Sequence, residues 1–280
     1  MYIGLEIDSE IIHGIKHYEM KHYREIALSN YDRHYKKSQR IIRERFVLKD
    51  DGEIEVKSIE NMWFPNVKCH VFLSHSHHDE DKALILAGYL KEKCDVDVFV
   101  DSCIWKYSND LLKLLDEHYC KTRFGHYDYS LRNITTTQVH LILNMALAKM
   151  INSTECFMFL KTSNSMFRKK DFLVAQTESA WICDELLIAS LLARRSKKIH
   201  RKEFRMEHSF SINESFQGIP RFIYDISFMD LKKLTYNQLL EIATLSSSEY
   251  YGDAILSRAE RFLDLLYDKI GVKEIENING

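Results

Sequence analysis

Glycine and proline are scarce in this sequence. The 280-residue chain holds 9 Gly and 2 Pro, where average usage would supply roughly 20 and 14. The glycines stand at 4, 14, 52, 88, 125, 218, 252, 271 and 280, too far apart for any glycine-rich loop. That excludes a G-x-G-x-x-G dinucleotide fingerprint, a P-loop and a kinase phosphate loop. A nucleotide handled by this protein is held without a glycine cradle. No apolar run approaches the roughly 20 residues that cross a bilayer, so no membrane partner is expected. The opening MYIGLEIDSEIIHGI has acids but no Lys or Arg, which argues against a secretory signal. The 6 cysteines are scattered without a C-x-x-C pair and read as reduced, mostly buried thiols of a cytoplasmic protein. H-E-x-x-H and G-x-S-x-G are both missing. Net charge is −2, from 39 basic and 41 acidic residues, so no nucleic-acid partner is expected.

What is present is an ordinary globular composition, 45% hydrophobic and 29% charged, arranged as alternating strands and helices. Residues 1–45 read as helical, with Ser9 as an N-cap ahead of Ile11, Ile12, Ile15 and Tyr18, and a second stretch from Asn30 to Arg45. FVLK-DDGE-IEVK reads as a hairpin turning at Asp51-Gly52, and Pro65 marks a boundary. These residues, 1–65, form an expected N-terminal extension. Beyond it, Cys69 to Leu73 and Val96 to Asp101 read as buried strands, and Cys156 to Leu160 as a third. Helices are expected from Asp79 or Asp81 onward and around Leu111 to Leu115, and again over 137–151 and 180–195. Residues 119–135 read as a polar insertion loop, within a longer insertion at about 119–151. IPRFIYDIS (219–227) is expected to be another strand. Two helices, near 230–245 and 253–270, and a polar tail close the chain, so 66–230 is the main domain and 231–280 a helical end. The pattern implies an α/β fold with a doubly wound parallel sheet, whose ligands sit beyond the carboxyl ends of the strands.

The polar segments at those strand ends are the candidate sites. Ser74-His75-Ser76 follows the first, Asp101-Ser102-Cys103 the second, and Lys161-Thr162-Ser163-Asn164 the third. Three imidazoles lie within His75 to His78, but metal ligands are usually drawn from separate elements, so no metal is expected there. Trp105, expected on a loop, could gate a pocket, bind a partner or fold back on the core. Trp181 and Glu185 are four residues apart on one helix face, spaced for an aromatic platform beside a carboxylate, or simply for a core Trp and a surface Glu. The densest basic run, Arg194 to Lys202, is either a solvated helix end or an acidic-ligand site.

Together these segments resemble the Toll/interleukin-1 receptor (TIR) domain in its bacterial form. Val71-Phe72-Leu73-Ser74-His75-Ser76, with Asp79 and Asp81, is similar to that family's first strand and loop. Val98-Phe99-Val100-Asp101 resembles its second strand, and Trp181 with Glu185 and Leu186 its third-helix motif. The resemblance implies a flavodoxin-like sheet and cleavage of NAD+ between nicotinamide and ribose, by hydrolysis or cyclisation. Glu185 would be the catalytic carboxylate, and Phe72, Ser74, His75, Asp101, Trp105 and Trp181 would bind substrate. NAD+ would be a substrate, with no cofactor. It further implies a homo-oligomer formed through the loop after the second strand, and a Thoeris-like antiphage role in which an ADP-ribose-derived signal reaches a separate effector. A non-catalytic TIR-like adaptor and a nucleoside deoxyribosyltransferase-like enzyme are the alternatives.

Overall fold

The computed structural model describes residues 1–30, 56–64, 67–100, 102–167, 175–204, 224–225, 231–247 and 256–272, with the side chains of 57, 58, 61, 62, 103–107, 203, 224 and 225 excepted. In chain order the elements begin with β1 (Ile3–Asp8), α1 (Glu10–His13), α2 (17–30), α3 (Val56–Trp63) and β2 (Val71–Ser74). Then come α4 (Glu80–Cys94), β3 (Val98–Val100), α5 (Ser102–Leu115), α6 (Tyr129–Ser153) and β4 (Cys156–Lys161). The chain continues through β5 (Gln176–Thr177), α7 (Ala180–Leu191), α8 (Lys197–Phe204) and β6 (Tyr224–Asp225). It ends with β7 (Lys232–Leu234), α9 (Tyr236–Ser247) and α10 (Arg258–Lys269). Five strands form one sheet in the spatial order β3-β2-β4-β1-β7, and every pairing is parallel. The fold is therefore α/β, as the alternation of strands and helices implies.

The strand order carries a correction. Residues 1–45 were expected to be helical, within an N-terminal extension of residues 1–65, yet Ile3–Asp8 is a strand inside the sheet. It pairs with β4 from Ile3↔Cys156 to Asp8↔Lys161 and with β7 on its other side. Ile3, Leu5 and Ile7 alternate, each at most 1% exposed, and this two-residue period outweighs the helical spacing that begins after Ser9. Flavodoxin-like sheets run 2-1-3-4-5; here the fourth place is taken by the strand nearest the N-terminus.

Alternation along the strands sorts the core into two faces. Val71, Leu73, Met158 and Leu160 pack toward α2, α4, α9 and α10. Phe72, Phe99, Phe157 and Phe159 pack toward α3, α5, α6 and α7. Phe72 stacks between Phe99 and Phe157, with ring centroids at 5.4 and 5.6 Å. Each such ring contributes roughly 1.5–3 kcal/mol by leaving water. On the first face α2 crosses α4 at Gly88, where a Cβ would lie 1.8 Å from the Tyr23 carbonyl oxygen.

Other expectations shift in detail. The loop expected over 119–135 is short, because a π-helical turn covers Asp116–Cys120 and α6 already begins at Tyr129. Asp128 caps α6 by accepting from Leu131 N–H, and Asp116 accepts from Arg132 and Thr135 (2.7 and 2.6 Å), which fixes the helix start to the π-helical turn after α5. The polar, β-branched Ile-Thr-Thr-Thr run hides this helix from propensity alone. The hairpin turn at Asp51-Gly52 and the stretch from 31 to 45 lie outside the described residues, while Val56 and Lys57, expected in the hairpin's second arm, open α3. Of the strand expected over 219–227, residues 224–225 are described, and they pair antiparallel with β5 rather than joining the main sheet. The fifth sheet strand is β7, a three-residue edge strand with two exposed lysines, at a place where a helix was expected.

Candidate active site

The chain leaves β2 toward β3 on one face and returns to β4 on the other, so the switch point of the sheet lies between β2 and β4. These strands are hydrogen-bonded neighbours from Val71↔Cys156 to Ser74↔Phe159. Beyond their carboxyl ends the two loops are tied together by Asp79, whose side chain is 1% exposed. Its carboxylate accepts hydrogen bonds from Thr162 Oγ1 (2.6 Å), Asn164 Nδ2 (3.1 and 3.2 Å) and Lys82 Nζ (2.6 Å). Thr162 Oγ1 in turn accepts from the N–H groups of Asn164 and Ser165, at 3.0 Å each. Burial pushes the Asp79 carboxyl up, but the bonds from Lys82, Thr162 and Asn164 outweigh it and leave the group below its ordinary value. Asp79 stands at the expected cap of α4, yet its side chain makes no cap bond. It is an ionised, fully engaged anchor that joins the two loops rather than a base waiting for a proton.

Helix α7 carries the expected catalytic carboxylate. Ser179 caps it by accepting from Ile182 N–H at 3.2 Å. Glu185 is 0% exposed, on the side of α7 that packs toward the phenylalanine face of the sheet. A carboxylate taken wholly out of water must be held by hydrogen bonds or opposite charge, or its burial would cost several kcal/mol. Trp181, one turn earlier and half-buried, meets His140 of α6 with ring centroids 5.8 Å apart. Burial lowers the His140 imidazole below its ordinary value and raises the carboxyl of Asp184. His140 and Asp184 had no sequence signal of their own, since the first is an isolated His in a helix and the second an acid beside a more conspicuous one.

The remaining candidates fall in different places. Ser74 is buried at the end of β2, on the same side of the sheet as Phe72, and its hydroxyl meets no hydrogen-bond partner among the described residues. His75 is 3% exposed, with Nδ1 3.4 Å from the Leu73 carbonyl. Phe72 is a core residue in every described contact. Asp101 lies outside the described residues. Trp105 was expected on a loop, but its backbone lies in α5, because the helix starts directly after β3 at Ser102. His77 and His78 are exposed on a 3₁₀ turn, and no group of three or more His, Cys, Asp or Glu among the described residues is arranged to hold a metal ion.

A cavity of about 190 Å³ opens at the opposite, amino edge of β2 and β4, lined by Cys69, His70, Glu155, His200, Arg201 and Phe204, with three further residues. Here the basic run 194–202 turns inward. Arg201 Nε and Nη2 donate to Glu155 (3.1 and 3.0 Å), and Nη1 and Nη2 donate to Asp264 (3.0 Å each). Lys197 also donates to Asp264, at 2.7 Å. The run is thus partly an internal tie between α8, α10 and the start of β4, neither a purely solvated end nor an open anion site. No helix among the described residues is long and apolar enough to cross a membrane. Comparison of the chain with protein-family models, curated proteins and solved structures finds no match.

Proposed function

We propose that this protein cleaves NAD+ at the bond between nicotinamide and ribose, with Glu185 as the catalytic carboxylate. The products would be nicotinamide and an ADP-ribose-derived signal, passed to a separate effector in antiphage defence. The observation that supports this most is the complete burial of Glu185, one helical turn from Trp181. The nicotinamide of NAD+ is already cationic and leaves as a neutral molecule without a proton donor. Positive charge instead develops on the ribose, and a carboxylate held away from water stabilises that charge most strongly. One carboxylate therefore suffices where glycosidases need two. Trp181 offers a ring for the nicotinamide or the adenine, and assembly through the segment after β3 would complete the site.

Incubating the purified full chain with NAD+ and following nicotinamide release tests this. Release is expected, and Glu185→Gln, which keeps the side-chain volume, should abolish it with the far-ultraviolet spectrum unchanged, while Asp184→Asn retains activity. Absence of release at high protein concentration would overturn the reading and leave the adaptor. Transfer of deoxyribose between free bases would replace it with the transferase.

A further inference from the structure

The longest helix among the described residues, α6, is apolar on both sides. Val139, Ile142, Leu143, Ala146, Leu147 and Met150 bury one side in the core. The solvent side carries Leu131 (44% exposed), Ile134 (57%), Leu141 (53%) and Met145 (39%). With Gln138 and Ala148 these positions run 131, 134, 138, 141, 145, 148, a spacing of three and four residues sustained over the helix. That is the a/d seam of a coiled coil, about 26 Å long at 1.5 Å per residue. Monomeric proteins seldom leave such a stripe open to water.

Charge says what covers it. From Asn133 to Ala148 the helix has no Asp, Glu, Lys or Arg. The residues flanking the seam, Thr137 and Asn144 among them, are neutral, and Lys149 at its end is held by Glu60. Foreign coiled-coil partners are usually selected by charges at the flanks, and none is offered here. A two-fold interface sets each patch against itself, which penalises a charged seam and not a neutral one. The seam also matches its own reversal. In an antiparallel pair Leu131 faces the second copy's Ala148, Ile134 its Met145 and Gln138 its Leu141, so a large residue meets a small one at the ends and the lone polar position sits beside the axis.

We propose that α6 joins two copies of this chain in an antiparallel helix pair. The pair is independent of the NAD+ reading and of the segment after β3. Sedimentation of the full chain should show a dimer at micromolar concentration. Ile134→Lys should weaken it by roughly thirtyfold or more, the scale of a central interface residue, with the far-ultraviolet spectrum of the folded subunit kept. Adding Met145→Glu to that variant should restore the dimer, because each Lys then faces a Glu of the other copy; within one helix the two positions are too far apart to pair. A wild-type chain that stays monomeric, or a dimer indifferent to Ile134→Lys, would overturn the proposal. So would a double variant that fails to recover, since a parallel pair sets Lys against Lys.

Discussion

Two buried histidines at the amino edge of the sheet set an acid limit on stability. Burial holds the His70 imidazole down at about 4, and the Asp97 carboxylate, 4.0 Å from Nδ1, pulls the other way without overcoming it. Nδ1 accepts the Asp97 N–H at 3.0 Å, which assigns the neutral tautomer with its proton on Nε2. His200 is also held at about 4, by burial first and then by the positive charges of the N-terminus and Arg195. Both folded values lie below the ordinary value of about 6.5. Between the two values the unfolded chain takes up protons that the folded chain refuses. This contribution to stability is therefore complete above about 6.5 and is lost as pH falls toward the folded value of about 4. From about pH 7 to about pH 5 each histidine removes about 2 kcal/mol, and the pair about 4. The perturbation is His70→Asn, whose side-chain oxygen replaces Nδ1 as acceptor for the Asp97 N–H. Losing the ring that packs on Phe204 at 4.0 Å lowers stability equally at both pH values. Urea unfolding followed by circular dichroism at the two pH values gives the difference for each protein. Carboxylates that titrate in the same window are common to both and cancel. The drop should shrink by about 2 kcal/mol in the variant; an undiminished drop would refute a neutral, buried His70.

Two further substitutions test the packing. Arg201→Leu takes the guanidinium from the buried Glu155 carboxylate and leaves Asp264 to Lys197 alone, and thermal unfolding should report a loss of about 3–5 kcal/mol; a loss under about 1 kcal/mol would mean that the tie is solvated. Gly88→Ala sets a methyl against the Tyr23 carbonyl and should cost at least about 2 kcal/mol, because helix backbones rather than a flexible side chain must move. An unchanged melting temperature in that variant would contradict the close approach of α2 and α4.

The strands from 71 to 161 were legible because each is an apolar run closed by polar residues, and a run buried on both faces leaves no other reading. β1 and β7 were not. Ile3–Asp8 is followed at once by Glu10–His13, so two periods overlap within a few residues, and the helical spacing runs on through Ile15 and Tyr18. Lys232–Leu234 has one buried residue and two exposed lysines, too little for a local pattern to register. The site shows the same division. Ser74 and Glu185 are proposed from position and motif, whereas the anchor between the loops after β2 and β4 joins residues more than eighty positions apart, Asp79 to Thr162 and Asn164, and no spacing rule reaches that far. Phe72 illustrates the converse. It sits in a motif with Ser74, and strand parity puts both on one face, yet a ladder of phenylalanines claims Phe72 while Ser74 reaches the strand end.

The place of β1 changes what the N-terminal residues are for. An appended segment contributes contacts at a surface, whereas β1 lies between β4 and β7 and completes the hydrogen bonding of both. Without it β4 would present an open edge next to the loops where Asp79, Thr162 and Asn164 meet, and Lys161 would lose Glu6, to which it donates at 2.9 Å. The loop carrying Thr162 begins one residue after that contact. Sheet closure and the geometry of the loops after β2 and β4 are thus coupled through a single strand, β1.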